Sequence, residues 1–505
     1  MRSFTLYDMF HRNGRIAGKA DALVWDSKRM SFAELLNQVN GLSGGLAGEG
    51  IGKGDRLAIL AHNDHRFFLL FGAAAALGAV VVPINWRLSD DEIVYILKDS
   101  GAKALVVDEK HADRIRQPAF RDLPEVAVFP MADGEEGAVS IDSLLSADPR
   151  PPVSMEEQDP FCLIYTAAVE GKPRGAVLTH GNMVYGNLQT IATMGLTPKD
   201  AYINMLPIFH ITGLNLSFSV MHAGGKNVVI DKFDEKRVVE ETAKEKVSVW
   251  GSFPPMLARL TEAADAAPGA VSSLRHVMGL DGPDAIGAFE EKTGATFWML
   301  YGQTETSGLV TFSPASEKPG SAGRQGLLTK VRVVDGSENE VPIGEPGEIV
   351  VQGPLVFQGF WNRDEDNRRT FRGGWHHTGD LGALDQDGYL WFKGRKPEKE
   401  LIKPGGENVY PAEVEAVILE HPDVTAVSVI GVPDPKFGEG IKAVCVLKEG
   451  AALLAEDLKE FVASRIARYK KPGYVVFVES LPRKPDGGID REQVKQAYGS
   501  AESSS

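Results

Sequence analysis

A hydroxyl and a carboxylate stand side by side in Tyr301–Glu305 (Tyr-Gly-Gln-Thr-Glu), directly after an apolar run. The run, Ala295–Leu300, predicts a buried strand, and Gly302 breaks it. Residues at the carboxyl end of such a strand line the ligand crevice of an open α/β sheet. There Thr304 could hydrogen-bond a phosphate oxygen, and Glu305 could hold the Mg²⁺ that accompanies a nucleotide. For the pentapeptide alone, a polar turn that caps a core strand is the alternative interpretation.

Length and charge restrict the classes of protein to consider. A chain of 505 residues is too long for one hydrophobic core and predicts two to four domains. Its 43% hydrophobic and 24% charged residues are typical of a globular protein. The formal net charge of −15 argues against a nucleic-acid-binding protein, which would normally carry a basic face.

The cysteines and the apolar runs predict a cytoplasmic protein without an integral membrane segment. Cys162 and Cys445 lie in strand-like apolar runs and are interpreted as small core residues in a reducing compartment. Charges interrupt Met1–Trp25, which therefore lacks the apolar region of a secretory signal. The uncharged run Phe67–Val82 is shorter than the roughly 20 residues of a spanning helix. Gly78 divides it into a predicted buried helix and a strand.

Short apolar runs alternate with helical patterns through the first 300 residues, which predicts mostly parallel sheets with helices on their faces. From about Gly323 the pattern changes to β-rich segments separated by glycine. A charged Gly/Pro stretch then precedes a final α+β unit. The predicted domains are an α/β multilayer N-terminal domain (residues 1–393, with a β-rich subdomain at 323–393), a hinge (394–406), a small mobile α+β C-terminal domain (407–498) and a disordered tail (499–505).

Five segments occur in a fixed order between Phe32 and Arg491, and together they resemble the adenylate-forming superfamily. This superfamily comprises acyl-CoA synthetases, beetle luciferases and peptide-synthetase adenylation domains. The segments are Tyr165–Gly175, Leu206–His210, Tyr301–Glu305, Trp375–Asp380, and Gly394-Arg395 followed by Gly405–Pro411. Any one could arise by chance, whereas all five in order make the assignment specific.

The resemblance implies that a carboxylic acid is activated with ATP and Mg²⁺ to an acyl-adenylate, which then reacts with the thiol of CoA. Both steps develop charge on phosphate or carbonyl oxygens, so hydrogen-bond donors and a metal matter more than a protein nucleophile. In the family, the aspartate at the position of Asp380 accepts hydrogen bonds from both ribose hydroxyls. Arg395 would reach the same ribose or the phosphate, and His210 matches a histidine that borders the acyl pocket. Thr304 carries over as a phosphate contact and Glu305 as the Mg²⁺ ligand.

Each of these residues also has a simpler interpretation. An aspartate after glycine is common in turns, a hinge arginine is often a solvated charge, and a lone histidine is usually a satisfied core residue. The motif frame favours the functional interpretation. The remaining nucleotide-binding candidates are Thr166, Lys172, Arg174, Tyr301 and Gly302.

Two departures from the family pattern concern catalysis. In the phosphate loop, the hydroxyls expected to hold the β and γ phosphates are replaced by Ala167, Val169 and Glu170, at a cost of about 1 kcal/mol for each lost contact. Near the C-terminus, Gly488 occupies the position of the lysine that bridges the carboxylate and the α-phosphate. Loss of one such donor costs roughly 10²–10³ in rate. Lys484 is a candidate substitute, and an engineered replacement is the other interpretation of Gly488.

Two smaller departures concern the adenine and the joint. The strip that packs on adenine in the family corresponds to Gly279–Pro283 here. The joint is about two residues longer than the family pattern, so Lys396 and Lys399 are both candidates for its pivot. Pro404–Gly406 suits the loop that approaches the thiol arm of CoA.

The predicted function is an AMP-forming acyl-CoA synthetase for a medium- or long-chain fatty acid or an aromatic acid. A weakened descendant that binds a nucleotide or acyl-CoA is the main alternative. A peptide-synthetase domain and a luciferase are weaker ones, and a homodimer stays open. Candidates for the acyl pocket, which fit a plain core equally well, are Leu214, Leu216, Phe218, Trp250 and Phe253.

Overall fold

The structure is a computed structural model that describes residues 3–121, 123, 126–134, 137–166, 172–396, 401–435, 437–484 and 487–500. Its contacts divide the chain into two units. The larger unit comprises Met1–Trp86, Leu97–Tyr165 and Gly175–Gly394, and the smaller comprises Arg87–Ile96, Thr166–Arg174 and Arg395–Ser505.

Helices and strands alternate over the first part of the chain. The helices are α1 (Leu6–Ile16), α2 (Phe32–Gly48), α3 (Arg66–Leu77), α4 (Asp90–Ser100), α5 (Ile141–Leu144), α6 (His180–Met194), α7 (Ile211–His222), α8 (Glu235–Glu245), α9 (Met256–Asp265), α10 (Pro283–Thr293), α11 (Asp364–Thr370), α12 (Pro411–Leu419), α13 (Ala455–Ala463) and α14 (Arg491–Tyr498). The strands before residue 300 are β1 (Asp21–Trp25), β2 (Lys28–Ser31), β3 (Arg56–Leu60), β4 (Val80–Ile84), β5 (Ala102–Val107), β6 (Ala127–Pro130), β7 (Pro160–Thr166), β8 (Arg174–Thr179), β9 (Ala201–Ile203), β10 (Lys226–Val229), β11 (Val249–Ser252), β12 (His276–Gly279) and β13 (Thr296–Tyr301). The later strands are β14 (Thr311–Pro314), β15 (Lys330–Val334), β16 (Gly347–Gln352), β17 (Gly359–Phe360), β18 (Phe371–Arg372), β19 (Trp375–Leu384), β20 (Leu390–Arg395), β21 (Val424–Asp434), β22 (Gly438–Leu447) and β23 (Tyr474–Phe477).

Two mostly parallel sheets form the framework of the larger unit. In the described part of the chain, one has the strand order β14-β13-β12-β11-β9-β10-β1-β2 and the other β17-β8-β7-β4-β3-β5-β6. The pairs β11/β12, β12/β13, β3/β4 and β3/β5 are parallel, whereas antiparallel pairs close the edges at β13/β14, β1/β2 and β17/β8. The predicted parallel architecture is confirmed.

The apolar run Phe67–Val82 belongs to the core, as its division by glycine predicts. Helix α3 is buried along its length and ends at Gly78, whose φ of +71° continues the chain into β4. A glycine adopts this left-handed backbone without strain. Among the described residues, no helix is long and apolar enough to cross a membrane.

The β-rich segment after residue 323 forms an antiparallel sheet in the order β15-β16-β19-β18, with β20 paired to β19. Strand β16 places Val350 opposite His377 and Val351 opposite His376. The register shifts between Glu348 and Val350, and such a bulge re-aims the neighbouring side chains. It lies opposite the Thr378–Asp380 segment.

The end of the chain is an α+β unit. Strands β21 and β22 are antiparallel, β22 and β23 are parallel, and α12, α13 and α14 accompany them. The predicted fold class, a large α/β domain followed by a small α+β domain, is confirmed. Residues 501–505 of the predicted tail lie outside the described residues.

Both cysteines behave as small core residues. Cys162 and Cys445 are buried thiols without a disulfide bond. Burial raises the pKa of the Cys445 thiol to about 12 and raises the pKa of Cys162 further still. Burial therefore disfavours the reactive thiolate form of both residues.

Candidate active site

Strand β13 is followed by a tight turn. The strand ends at Tyr301, and a short 3-10 turn follows at Thr304–Thr306. Gly302 joins the two, and a Cβ at this position would lie 2.1 Å from the carbonyl oxygen of Gly308. Only glycine permits this approach, so the fold itself requires the glycine of the motif.

Thr304 and Glu305 lie in this turn and are buried, with 8% and 6% of their surface exposed. The backbone carbonyl of Glu305 accepts from Phe357 N–H at 2.9 Å. Ser307 follows with a φ of +52°, and its hydroxyl donates to Leu355 O at 2.8 Å. A backbone and a side-chain hydrogen bond therefore hold the turn. Its Glu305 carries carboxylate oxygens, the ligand type that Mg²⁺ prefers.

Asp380 lies beside the end of β13, although 79 positions separate it from Tyr301. The Tyr301 hydroxyl donates to Asp380 Oδ2 at 2.8 Å, and Gln303 Nε2 donates to the same oxygen at 2.6 Å. Gln303 Nε2 also donates to Thr378 O at 3.0 Å. Charge-assisted bonds of this kind fix the direction of the carboxylate. Asp380 is buried, with 3% of its surface exposed.

A second network holds the turn that carries Asp380. The Thr378 hydroxyl donates to Ile349 O at 2.6 Å, and Gly379 N–H donates to Glu348 Oε1 at 3.0 Å. The other oxygen of Glu348 lies 3.0 Å from His377 Nδ1. Gly379 has a φ of +68°, which a residue with a side chain rarely adopts. Thr378 and Gly379 therefore position Asp380 through hydrogen bonds and backbone geometry.

His210 forms the N-cap of α7. Its Nδ1 accepts from Thr212 N–H at 3.3 Å, and the residue is exposed. The preceding segment is held by Asn63, whose amide donates to Asn204 O and Leu206 O at 2.8 and 2.9 Å. Its Oδ1 accepts from the N–H of residue 208 at 2.8 Å. An anchored segment thus presents His210 at its end.

The strand end of β12 carries the predicted adenine strip. A Cβ on Gly279 would lie 1.6 Å from Ser252 O, so this strand end admits no side chain there. Asp281 accepts from Gly282 N–H at 2.8 Å. Burial raises the pKa of the Asp281 carboxyl above its usual range, because burial disfavours the charged form.

Four predicted nucleotide contacts belong to the smaller unit. Thr166 ends β7, Arg174 begins β8 and Arg395 ends β20. The ammonium group of Lys172 lies 5.6 Å from the ring centroid of Tyr95. The replaced loop positions Ala167, Val169 and Glu170 lie outside the described residues, as does Lys399, one of the two pivot candidates.

Gly488 lies on an exposed turn of the smaller unit. Lys484 N–H donates to Gly488 O at 2.8 Å, and Gly487 N–H donates to Lys484 O at 2.9 Å. Arg483 and Ile489 form a β-bridge across the turn. The lysine of the family pattern is thus replaced at an exposed position, and Lys484 is exposed on the same turn.

Four of the five acyl-pocket candidates lie in the packed core. Leu214, Leu216, Phe218 and Trp250 are at most 1% exposed, and the Phe218 ring packs edge-on against Phe71 at 5.5 Å. Phe253 is half-buried after the end of β11. The plain-core interpretation therefore fits the four better than a role in lining a pocket.

Gln303 was not assigned a role from the sequence, although its amide orients Asp380. The sequence signal for this role of Gln303 is weak, because an amide side chain directly after Gly302 could equally point from a turn into solvent. Asn63 was also missed, since a single asparagine after a strand has many uses. Both act through contacts with residues distant in the chain, 77 positions away for Gln303 and 141 for Asn63.

Comparison with known proteins matches nearly the whole chain. The profile of the AMP-binding enzyme family matches residues 10–361, and that of the AMP-binding enzyme C-terminal domain matches residues 413–487. A feruloyl-CoA synthase from Amycolatopsis is 34% identical over 97% of this chain and 98% of its own length. A long-chain-fatty-acid–CoA ligase from Mycobacterium tuberculosis is 33% identical over the same shares. The o-succinylbenzoate CoA synthetase from Bacillus subtilis, solved with a product analogue, superposes with a TM-score of 0.87 at 28% identity over 96% of this chain and 97% of its own.

Proposed function

The chain belongs to the acyl-CoA synthetase branch of the AMP-binding enzyme family, and we propose that it activates a medium- or long-chain fatty acid or an aromatic acid. The reaction consumes ATP and CoA. The observation that carries the proposal is the Asp380 carboxylate, which Tyr301 and Gln303 orient at the end of β13.

The first step is attack of the acid's carboxylate on the α-phosphorus of ATP, which gives an acyl-adenylate and releases pyrophosphate. Asp380 accepts the ribose hydroxyls, because an ionised carboxylate offers two acceptor oxygens. Tyr301, Gly302 and Thr304 contact the nucleotide. Glu305 is the Mg²⁺ ligand, and Mg²⁺ when bound neutralises charge on the polyphosphate.

The phosphates are bound by Thr166, Lys172, Arg174 and Arg395 in this proposal, on the strength of the sequence motifs. Two of these side chains are guanidinium groups, which suit phosphate recognition. His210 borders the acid. In the second step the thiol of CoA attacks the acyl carbonyl, and AMP leaves.

The relatives do not identify the acid, because their own substrates differ, so the acid has to be found by assay. Those described above act on ferulate, long-chain fatty acids and succinylbenzoate. Since Leu214, Leu216 and Phe218 pack in the core, they do not favour one acid over another. Both substrate classes therefore enter the test.

The test is pyrophosphate release from ATP and Mg²⁺ with pooled fatty and aromatic acids, with and without CoA. We expect acid-dependent release that rises with CoA. We also expect Asp380→Ala and Glu305→Gln to abolish thioester formation. Asp113→Ala is the matched control for the first variant, because the Asp113 side chain is 97% exposed. Normal turnover in either site variant would contradict these assignments.

A second candidate function is a descendant that binds a nucleotide or acyl-CoA but adenylates poorly. The observation that favours it is Gly488, which supplies no cation on the exposed turn where the family has a lysine. Detectable nucleotide binding without acid-dependent pyrophosphate release would support this candidate over the ligase.

A further inference from the structure

Two imidazoles and a carboxylate converge at the carboxyl ends of strands β3 and β5, apart from the site described above. His62 follows β3 by two residues, Asp108 follows β5 directly, and His111 lies three positions later. The strands are parallel neighbours with Leu60 opposite Val107. Asp108 N–H donates to Leu60 O at 3.3 Å. The sheet itself therefore brings the carboxylate beside His62.

The donor atoms of the three side chains lie close together. His62 Nδ1 is 3.3 Å from Asp108 Oδ2, and His111 Nδ1 is 2.5 Å from Asp108 Oδ1. One ligand atom from each residue lies within 4.8 Å of the other two. Asp108 and His111 are buried, and the side chain of His62 is 15% exposed.

Backbone contacts and ring stacking hold this arrangement. The N–H groups of His62 and His111 donate to the two oxygens of Asp108 at 2.9 and 3.0 Å. The Trp86 ring stacks on His62 with centroids 4.2 Å apart, and the two imidazoles stack at 5.1 Å. The side chains are therefore ordered before any ligand arrives, which lowers the entropic cost of binding.

We propose that His62, Asp108 and His111 bind one divalent transition-metal ion, with Zn²⁺ as the representative. Two imidazole nitrogens and one carboxylate oxygen are a donor set that suits zinc, cobalt and nickel. Mg²⁺ prefers oxygen ligands, so the site discriminates against the ion that accompanies ATP. Water completes the coordination.

The position of the site gives the ion a structural role. Asn63, next to His62, holds the segment that leads to His210 through three hydrogen bonds. An ion that fixes His62 also fixes the start of this connection. Because anything that binds the folded state alone stabilises it, the ion raises the melting temperature.

Metal binding is measured on the full chain without ATP, acid or CoA, so the result is independent of the proposed function. The protein is treated with a chelator, freed of it, and titrated with Zn²⁺ in competition with a chromophoric chelator. We expect one equivalent of Zn²⁺ per chain, a visible absorption spectrum with Co²⁺, and no displacement by excess Mg²⁺.

His62→Gln and His111→Gln should each lower the Zn²⁺ affinity by at least roughly tenfold, because loss of even an outer-shell partner of a metal ligand costs roughly 10–100-fold. His11→Gln is the matched control, because His11 is exposed in α1. Asp108 is left intact, since it accepts two backbone N–H groups and its loss would perturb the loop itself.

Two results would overturn the proposal. One is stoichiometric binding that is equal in the wild type, His62→Gln and His111→Gln. The other is a wild type that gives no Co²⁺ spectrum and no Zn²⁺ uptake, which needs no variant and so does not depend on how the variants fold. In that case Asp108 serves only to bind the two imidazoles.

Discussion

At the scale of the residue, the Asp380 carboxylate owes its direction to two neutral donors on one oxygen. Tyr301 and Gln303 both donate to Oδ2, which restricts the rotation of the group. Both donors are uncharged groups, and together they hold the carboxylate in one orientation. An orientation fixed before binding saves the entropy of ordering the side chain.

Tyr301→Phe should raise the KM for ATP by about tenfold and leave kcat nearly unchanged, because it removes one orienting bond of about 1.5 kcal/mol. Steady-state kinetics measure the split between the two constants. Tyr389→Phe is the matched control, since Tyr389 is also buried and donates to a carboxylate, that of Glu317, at 2.8 Å. Equal KM values in the two variants would contradict a positioning role for Tyr301.

Gly488→Lys should speed adenylation by up to roughly 10²-fold, because it restores a cation at the position where the family places one. The residue is exposed on a turn, so the longer side chain does not enter the core. Pyrophosphate release without CoA measures the step. Lys484→Gln is the companion variant: if Lys484 already fills the role, this variant slows adenylation and Gly488→Lys changes little.

At the scale of the element, the end of β13 depends on how closely its turn folds back. Gly302 lies against the carbonyl of Gly308, and Gly279 at the end of the neighbouring β12 lies against Ser252 O. Both glycines therefore close strand ends at the edge of the sheet where Tyr301 lies. Their role is steric, because a side chain at either position would overlap a backbone oxygen. This explains why glycines occupy these strand ends beside the candidate site residues.

Gly302→Ala should destabilise the fold by about 1–3 kcal/mol, because the added methyl group overlaps a backbone oxygen that must move. Urea unfolding measures the change. The matched control is Gly287→Ala in α10, where a Cβ meets no atom within 4 Å. That variant should gain about 0.5–1 kcal/mol from helix propensity. A Gly302→Ala protein as stable as the control would contradict the steric argument.

The sequence predicted the elements well where the signal was local. The strand before Tyr301, the helix that ends at Gly78 and the mostly parallel sheets all follow from periodicity and glycine. The apolar run Val247–Trp250 also predicts a strand, but β11 begins only at Val249. Val247 N–H instead donates to Thr242 O, which ends α8.

At the scale of the whole molecule, the contacts that build the site were not predictable from local patterns. Asp380 meets Tyr301 only because β19 and β13 belong to sheets of the same unit. Leu214 and Phe218 show a second limit of sequence-based prediction. Core residues and residues that line a pocket have the same hydrophobic pattern, so the sequence does not distinguish them. The motifs identified the residue types of the candidate site, whereas the fold determines which residues they contact.

The stability of the molecule should fall as the pH falls from about 6.5 to about 4. Burial lowers the pKa of His180, His222 and His276 from 6.5 to about 4 each. Between these values the unfolded chain binds protons that the folded chain excludes, so acid favours unfolding, and the contribution is complete above pH 6.5.

Urea midpoints at pH 7.5, 6.5, 5.5 and 4.5 measure this dependence. His180→Gln should flatten it, because the variant lacks one group that takes up a proton on unfolding while its amide can still accept from Leu6 N–H. The exposed His11→Gln should keep the wild-type dependence. If His180→Gln and the wild type lose stability in parallel below pH 6.5, then His180 does not contribute, and His222 and His276 account for the loss. Carboxylates such as Asp64 and Asp159, whose pKa values are lowered in the fold, contribute only at lower pH, close to their own unfolded pKa, so the pH at which the midpoint begins to fall distinguishes them from the histidines.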